Sequence, residues 1–168
     1  EHAHRVAFAQ ARGHFGHDVG QRMRVAALQE DAFAGRRQPA DQRPAADLGL
    51  MRQRAELLGG LRQFFAARTI LEVETPLLCR TGITDPAIEP FVVASGDSQQ
   101  QPRFLQTSPE YAMKRLLATW GEPIFQISKA FRNGEVGSRH NPEFSLLEWY
   151  RPGFDHHQLM AEVADLVH

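Results

Sequence analysis

The chain has 168 residues, 42% of them hydrophobic, and a formal net charge of −1. That length supports one domain with a real core, and the balanced charge excludes the basic field of a nucleic-acid binder, so tRNA is the less expected partner. The single cysteine, Cys79, rules out an internal disulfide and suits a reducing, cytoplasmic setting as a small buried hydrophobe, and no apolar run reaches the length of a signal peptide or membrane span.

Residues 1–46 are rich in Ala, Arg, Gln and His and poor in β-branched residues. His2, His4, His14 and His17 invite a metal reading, but no second ligand cluster accompanies them. A short helix is expected over Val19–Phe33, and the following RRQPADQRPAAD, with two prolines, reads as a linker. The segment as a whole is expected to be a flexible extension, and residues 47–168 the folded unit. From Asp47 the pattern changes. Ala55, Leu57, Leu58, Leu61, Phe64 and Phe65 recur at helical spacing and predict an amphipathic helix over Leu50–Arg68. Ile70–Thr75 alternates like a strand and stops at Pro76.

Thr81–Phe91 is a loop with two prolines, Ser95–Pro102 is polar and turn-like, and Phe104–Thr107 is a short strand. In TSPEYAMKRLL, Ser108 is a helix N-cap with Pro109 at the first position, and Met113, Leu116 and Leu117 form the apolar side. Glu110 has an ordinary structural reading, a carboxylate at a helix N-terminus paired with Lys114 at i,i+4. After Tyr150, Phe154–Val167 reads as a helix that turns Met160, Val163, Leu166 and Val167 to a core and leaves His156 and His157 on the surface.

The densest chemistry lies in PIFQISKAFRNGEVGSRHNPEFSLLEWYRP, Pro123–Pro152. Two strands are predicted, Ile124–Phe131 and Phe144–Tyr150. The period of two puts Phe125, Ile127 and Phe131 on one face and Gln126, Ser128, Ala130 and Arg132 on the other. On the return strand Phe144, Leu146, Glu148 and Tyr150 share a face. An arginine, an aromatic ring, a carboxylate and a phenol make poor core but suit a site that grips an anion, stacks a flat ring and holds a cation. The connecting loop, Asn133–Glu143, is too long for a tight hairpin and brings Arg139 and His140 as further donors for phosphate oxygens.

FRNGEVGSRHNPEF followed by LLEWYRP resembles motif 2 of the class II aminoacyl-tRNA synthetases, in the lysyl branch, and most resembles the paralogues that attach β-lysine to translation elongation factor P. The helix, strand and proline before Pro76 resemble motif 1, which builds the dimer interface in that family, with Thr69 where the family usually turns on a glycine. The resemblance covers about Asp47 to His168.

The resemblance implies an α+β fold, part of an antiparallel-sheet catalytic domain flanked by helices. It also implies ATP-dependent activation of a lysine-type amino acid through an aminoacyl-adenylate, and ligation of that amino acid to a lysine of elongation factor P. Arg132 would be the catalytic residue, bridging the α-phosphate and the substrate carboxylate. Arg139 and His140 would hold the outer phosphates of ATP, Asn141 would also bind ATP, and Phe144 would stack on adenine. Ser108, Glu110, Glu148 and Tyr150 would hold lysine or β-lysine. The usual glutamate two residues after the motif 2 arginine is Gly134 here, with Glu135 next to it. Motif 3 and the acidic residues that hold Mg2+ are not found before His168, so the metal ligands are expected in a C-terminal part and the chain is expected to be inactive alone. Full-length protein is expected to dimerise through motif 1. The rivals are a catalytic segment of a lysyl-tRNA synthetase, disfavoured because residues 1–46 lack the alternating strands of an anticodon-binding barrel, and an inactive remnant that binds nucleotide or dimerises.

Overall fold

The computed structural model describes residues 48–94, 101–137 and 140–168, and the backbone of 24–28. The central hairpin forms as its period of two requires. Strands β6 (Ile124–Phe131) and β7 (Glu143–Tyr150) run antiparallel, with Ile124 opposite Tyr150, Gln126 opposite Glu148 and Ala130 opposite Phe144. Strand β2 (Leu71–Glu72) lies parallel to β6, and β1 (Arg24–Leu28) lies antiparallel to β7, giving the order β1-β7-β6-β2. Strands β3 (Leu78–Cys79), β4 (Val92–Val93) and β5 (Arg103–Leu105) form a second, antiparallel sheet. The fold is α+β, as expected, although one strand pair of the main sheet is parallel.

One face of that sheet is core. Helix α1 (Leu48–Ala67) brings Leu61 and Phe65, and helix α3 (His156–Val167) brings Val163, against Phe125, Leu147 and Trp149. Phe65 stacks on Phe125 with ring centres 4.4 Å apart and tilts against Trp149 at 5.4 Å. On the opposite face, helix α2 (Glu110–Trp120) covers only the end near Ile124 and Tyr150, through Met113. The rest of that face carries Gln126, Ala130, Phe144, Leu146 and Glu148.

Several expectations need correction. A strand, Arg24–Leu28, stands where a helix over Val19–Phe33 was expected, because pairing with the edge of β7 outweighs the helix preference of an alanine-containing run. The amino-terminal histidines and the RRQPADQRPAAD linker lie outside the described residues. The strand read over Ile70–Thr75 shrinks to two residues. Ala55 and Leu57 point to solvent on α1. On α3, Met160 and Val167 are exposed while Leu159 and Glu162 are buried, so the buried stripe is rotated from the one read off the apolar residues.

The end of α1 is closed by two crossed backbone bonds, Thr69 N–H to the Ala66 carbonyl and Ile70 N–H to the Phe65 carbonyl, each 3.0 Å. That is a Schellman ending with Thr69 in the left-handed position, φ 55°, and Ile70 buried against Phe65. The missing glycine has not cost the cap its hydrogen bonds. It has put a β-branched residue where glycine is favoured.

Candidate functional site

The small sheet is tied to the main one at Gln106, whose carbonyl accepts from the Phe131 N–H at 2.9 Å while its amide Nε2 donates to the Lys129 carbonyl at 2.8 Å. This places Thr107, Ser108 and Glu110 over the face of β6 and β7 that carries Gln126 and Glu148. Helix α2 starts at Glu110, with Pro109 as its N-cap and no side-chain cap bond there, so Ser108 sits one residue before the position read from the sequence. Its hydroxyl oxygen accepts from the Glu110 N–H at 3.2 Å, and its proton goes to Glu148 Oε2 at 2.8 Å.

Glu148 is the centre of the arrangement. It is 1% exposed, and Tyr150 donates its phenol to Glu148 Oε1 at 2.6 Å. No cationic side chain among the described residues pairs with it. A buried carboxylate held by two hydroxyls and no positive charge is costly unless a cation joins it. Glu110 is also buried, and one of its oxygens meets Lys114 Nζ at 3.0 Å, so the i,i+4 pair read from the sequence forms.

Arg132 leaves the end of β6 on the same face. Its Nε points to the Thr107 carbonyl at 3.4 Å, its Nη1 lies 3.5 Å from Glu135, and its guanidinium carbon is 5.1 Å from the centre of the Phe144 ring. Gly134, at φ 76°, turns the backbone so that Glu135, not residue 134, reaches back to the arginine. The motif 2 loop is fastened at Asn133, whose N–H donates to the Glu89 carbonyl and whose Nδ2 donates to Glu89 Oε1 at 3.0 Å. Phe144 is buried beside Ala130 and Leu146, Asn141 is half-buried, and His140 is exposed. Arg139 lies outside the described residues.

The structure therefore gathers Ser108, Glu148 and Tyr150 into direct contact and sets Glu110, Arg132 and Phe144 on the same side. A cleft of about 500 Å³ opens beside them, lined by Ser108, Glu110 and Tyr111 and by Arg80, Arg103 and Arg115. Glu148 and Tyr150 do not line it, so the cleft borders the carboxylate site without containing it. Cys79, on its wall, is half-buried rather than buried, and desolvation raises its thiol pKa against a smaller opposing effect of Arg115. Among the described residues no three His, Cys, Asp or Glu side chains are grouped closely enough to hold a metal ion, and no helix is long and apolar enough to cross a membrane.

Two residues escaped the sequence reading. Gln126 was placed on the correct face by strand parity, but nothing local signals that it is 1% exposed. Glu162, which the spacing of apolar residues does not mark, is buried and accepts from the Trp149 indole.

Residues 40–168 match the family described as tRNA synthetases class II (D, K and N). Curated relatives named Elongation factor P--(R)-beta-lysine ligase include those of Pseudoalteromonas translucida (strain TAC 125) and Haemophilus influenzae (strain PittGG), each 52% identical over 127 residues, 74% of this chain and 39% of the relative. That of Vibrio vulnificus (strain YJ016) is 51% identical over 131 residues, 76% of this chain and 41% of the relative. The chain spans about two fifths of the length of these relatives. By the extent of the family match, which takes in both the helix–strand unit and the β6–β7 hairpin, the chain belongs to the class II tRNA synthetases of the D, K and N group.

Proposed function

We propose that this chain carries the amino-acid- and phosphate-binding part of an ATP-dependent ligase that activates a lysine-type amino acid and joins it to a lysine of elongation factor P. The observation that carries the reading is Glu148, buried, held by Ser108 and Tyr150, and facing no cation among the described residues, which is the environment an ammonium group completes. The names of the relatives supply the acceptor protein and the (R)-β-lysine chemistry.

In the first step a substrate carboxylate oxygen attacks the α-phosphorus of ATP, forming the acyl–phosphate bond and releasing pyrophosphate. Both reactants are anions, so the step depends on positioning and charge neutralisation, with no protein nucleophile. Arg132 supplies a planar fork between the α-phosphate and the substrate carboxylate. Arg139 and His140 serve the outer phosphates, Asn141 also binds ATP, and Phe144 serves the adenine ring. Glu110, Ser108, Glu148 and Tyr150 hold the amines. In the second step the neutral ε-amine of the acceptor lysine attacks the acyl carbon, the amide forms, AMP leaves with the bonding pair, and the nitrogen gives up a proton to solvent. Mg2+ would offset charge on the triphosphate. The described residues offer it no site, and no step above depends on one.

The reading includes a cytoplasmic homodimer through the α1–β2 unit, supported by the exposure of Leu48, Met51, Leu57 and Leu71. Amino-acid-dependent pyrophosphate exchange by the full-length protein, with a mass gain on elongation factor P, tests the function. Arg132→Ala is expected to abolish exchange, since losing one preorganised donor costs ~10²–10³ in rate and this one serves both reactants. Charging of tRNA without a mass gain on elongation factor P would point to a lysyl-tRNA synthetase, and nucleotide binding without exchange to an inactive remnant.

A further inference from the structure

Gln126 is 1% exposed, and both its Oε1 and its Nε2 lie buried without a hydrogen-bond partner among the described residues. Buried side-chain amides normally find partners, and leaving both ends unmet is unfavourable. The residue sits directly across the β6–β7 ladder from Glu148 on the same face, so their Cβ atoms are about 5 Å apart. Glu148 and Tyr150 are engaged with each other and Ser108 with Glu148. Gln106 Nε2 is likewise committed, to Ser128 and the Lys129 carbonyl. Within this group Gln126 alone has its whole polar end uncommitted.

We propose that Gln126 is a substrate-contacting, specificity-determining residue whose Oε1 accepts a hydrogen bond from the ammonium group that Glu148 binds. This rests on the functional reading above and adds a residue to it. An ammonium carries three N–H donors and needs acceptors in three directions, whereas a carboxylate on one side fixes its charge but not its orientation. Glu148 supplies the charge and the amide opposite supplies the direction. Because the amide is neutral, it reads the position of an N–H without adding a second negative charge to a buried site. The pair thereby selects substrates whose amine reaches the strand floor and rejects an apolar chain of the same length, which would leave both groups unmet.

The test uses the full-length protein, Gln126→Met as a near-isosteric apolar replacement, and pyrophosphate exchange with lysine, β-lysine and norleucine. Gln126→Met is expected to raise KM for the preferred diamino acid about tenfold or more, with KM for ATP unchanged. The preference for it over norleucine should fall by the same factor. The melting temperature without substrate should hold or rise, because an orphaned polar group has been replaced by an apolar one. A fall in melting temperature with KM unchanged would mean that the amide is held inside the fold, and would overturn the inference. So would a rise in KM for ATP and amino acid together. Wild-type protein with no amino-acid-dependent exchange would sink the functional reading and this inference with it, whereas an active wild type and an unchanged variant sink only the inference.

Discussion

Trp149 donates its indole N–H to Glu162 Oε2 at 2.9 Å across the buried contact between β7 and α3. The same carboxylate lies 3.3 Å from Arg151 Nε and 3.9 Å from Arg68 Nε. Strand parity gives this bond its importance. Glu148 and Tyr150 face the site while Trp149 faces the helices, so Glu162 fixes from behind the strand that presents the site carboxylate.

Removing that carboxylate leaves a buried indole N–H without its acceptor and a largely buried guanidinium without its counter-charge. Losing one partner of a buried charged pair costs about 3–5 kcal/mol, and Arg68, longer in distance and a third exposed, adds little. Glu162→Ala is therefore expected to destabilise by about that amount, read as a lowered urea midpoint at constant slope. Glu162→Gln keeps an acceptor for Trp149 and should fall between. A cost below about 1 kcal/mol for the alanine variant would remove Glu162 from any structural role.

Thr69 is strained in a way the sequence hinted at and the structure makes specific. Its left-handed φ of 55° costs a β-branched residue about 1–2 kcal/mol. Glycine relieves that but gives back about 0.4–1 kcal/mol of unfolded-state entropy. The hydroxyl contact to the Arg68 carbonyl at 2.7 Å is on an exposed residue and adds little. Thr69→Gly is expected to raise stability by about 0.5–1 kcal/mol, with α1 unchanged by circular dichroism. Destabilisation would show that the threonine is accommodated without strain.

Much of the site was legible because a period of two is strict. Once β6 and β7 are recognised, parity groups Gln126 with Arg132 on one strand and Phe144, Glu148 and Tyr150 on the other, and the register sets Gln126 opposite Glu148 on a common face. What parity cannot give is depth. Gln126 and Ser128 share a face, yet the first is buried and the second half-buried, two positions that alternation treats alike. Glu162 was lost for a different reason. Helical spacing counts apolar residues, so it leaves a buried carboxylate unmarked and takes in Met160 and Val167, which are exposed. Strand β1 was invisible because its preference is set by the β7 edge it joins, not by its own residues.

Asp155 opens α3 with a reciprocal cap that should make this helix sensitive to pH. Its carboxylate accepts from the Gln158 N–H at 2.9 Å, while Gln158 Oε1 accepts from the Asp155 N–H at 2.8 Å. The backbone bond from Gln158 is the main cause that lowers the Asp155 pKa from its ordinary 3.8. A carboxyl whose pKa is depressed by folding contributes stability above its unfolded pKa and loses it as pH falls through the folded value. Asp155→Ala should therefore lower the urea midpoint at pH 7, and the gap from wild type should narrow as pH falls below 3.8. Asp155→Asn keeps a capping oxygen that does not titrate, so its gap from the alanine variant should stay level over the same range. If the wild-type gap also stayed level down to full protonation, the stability would come from the shape of the cap and not from the charge of Asp155.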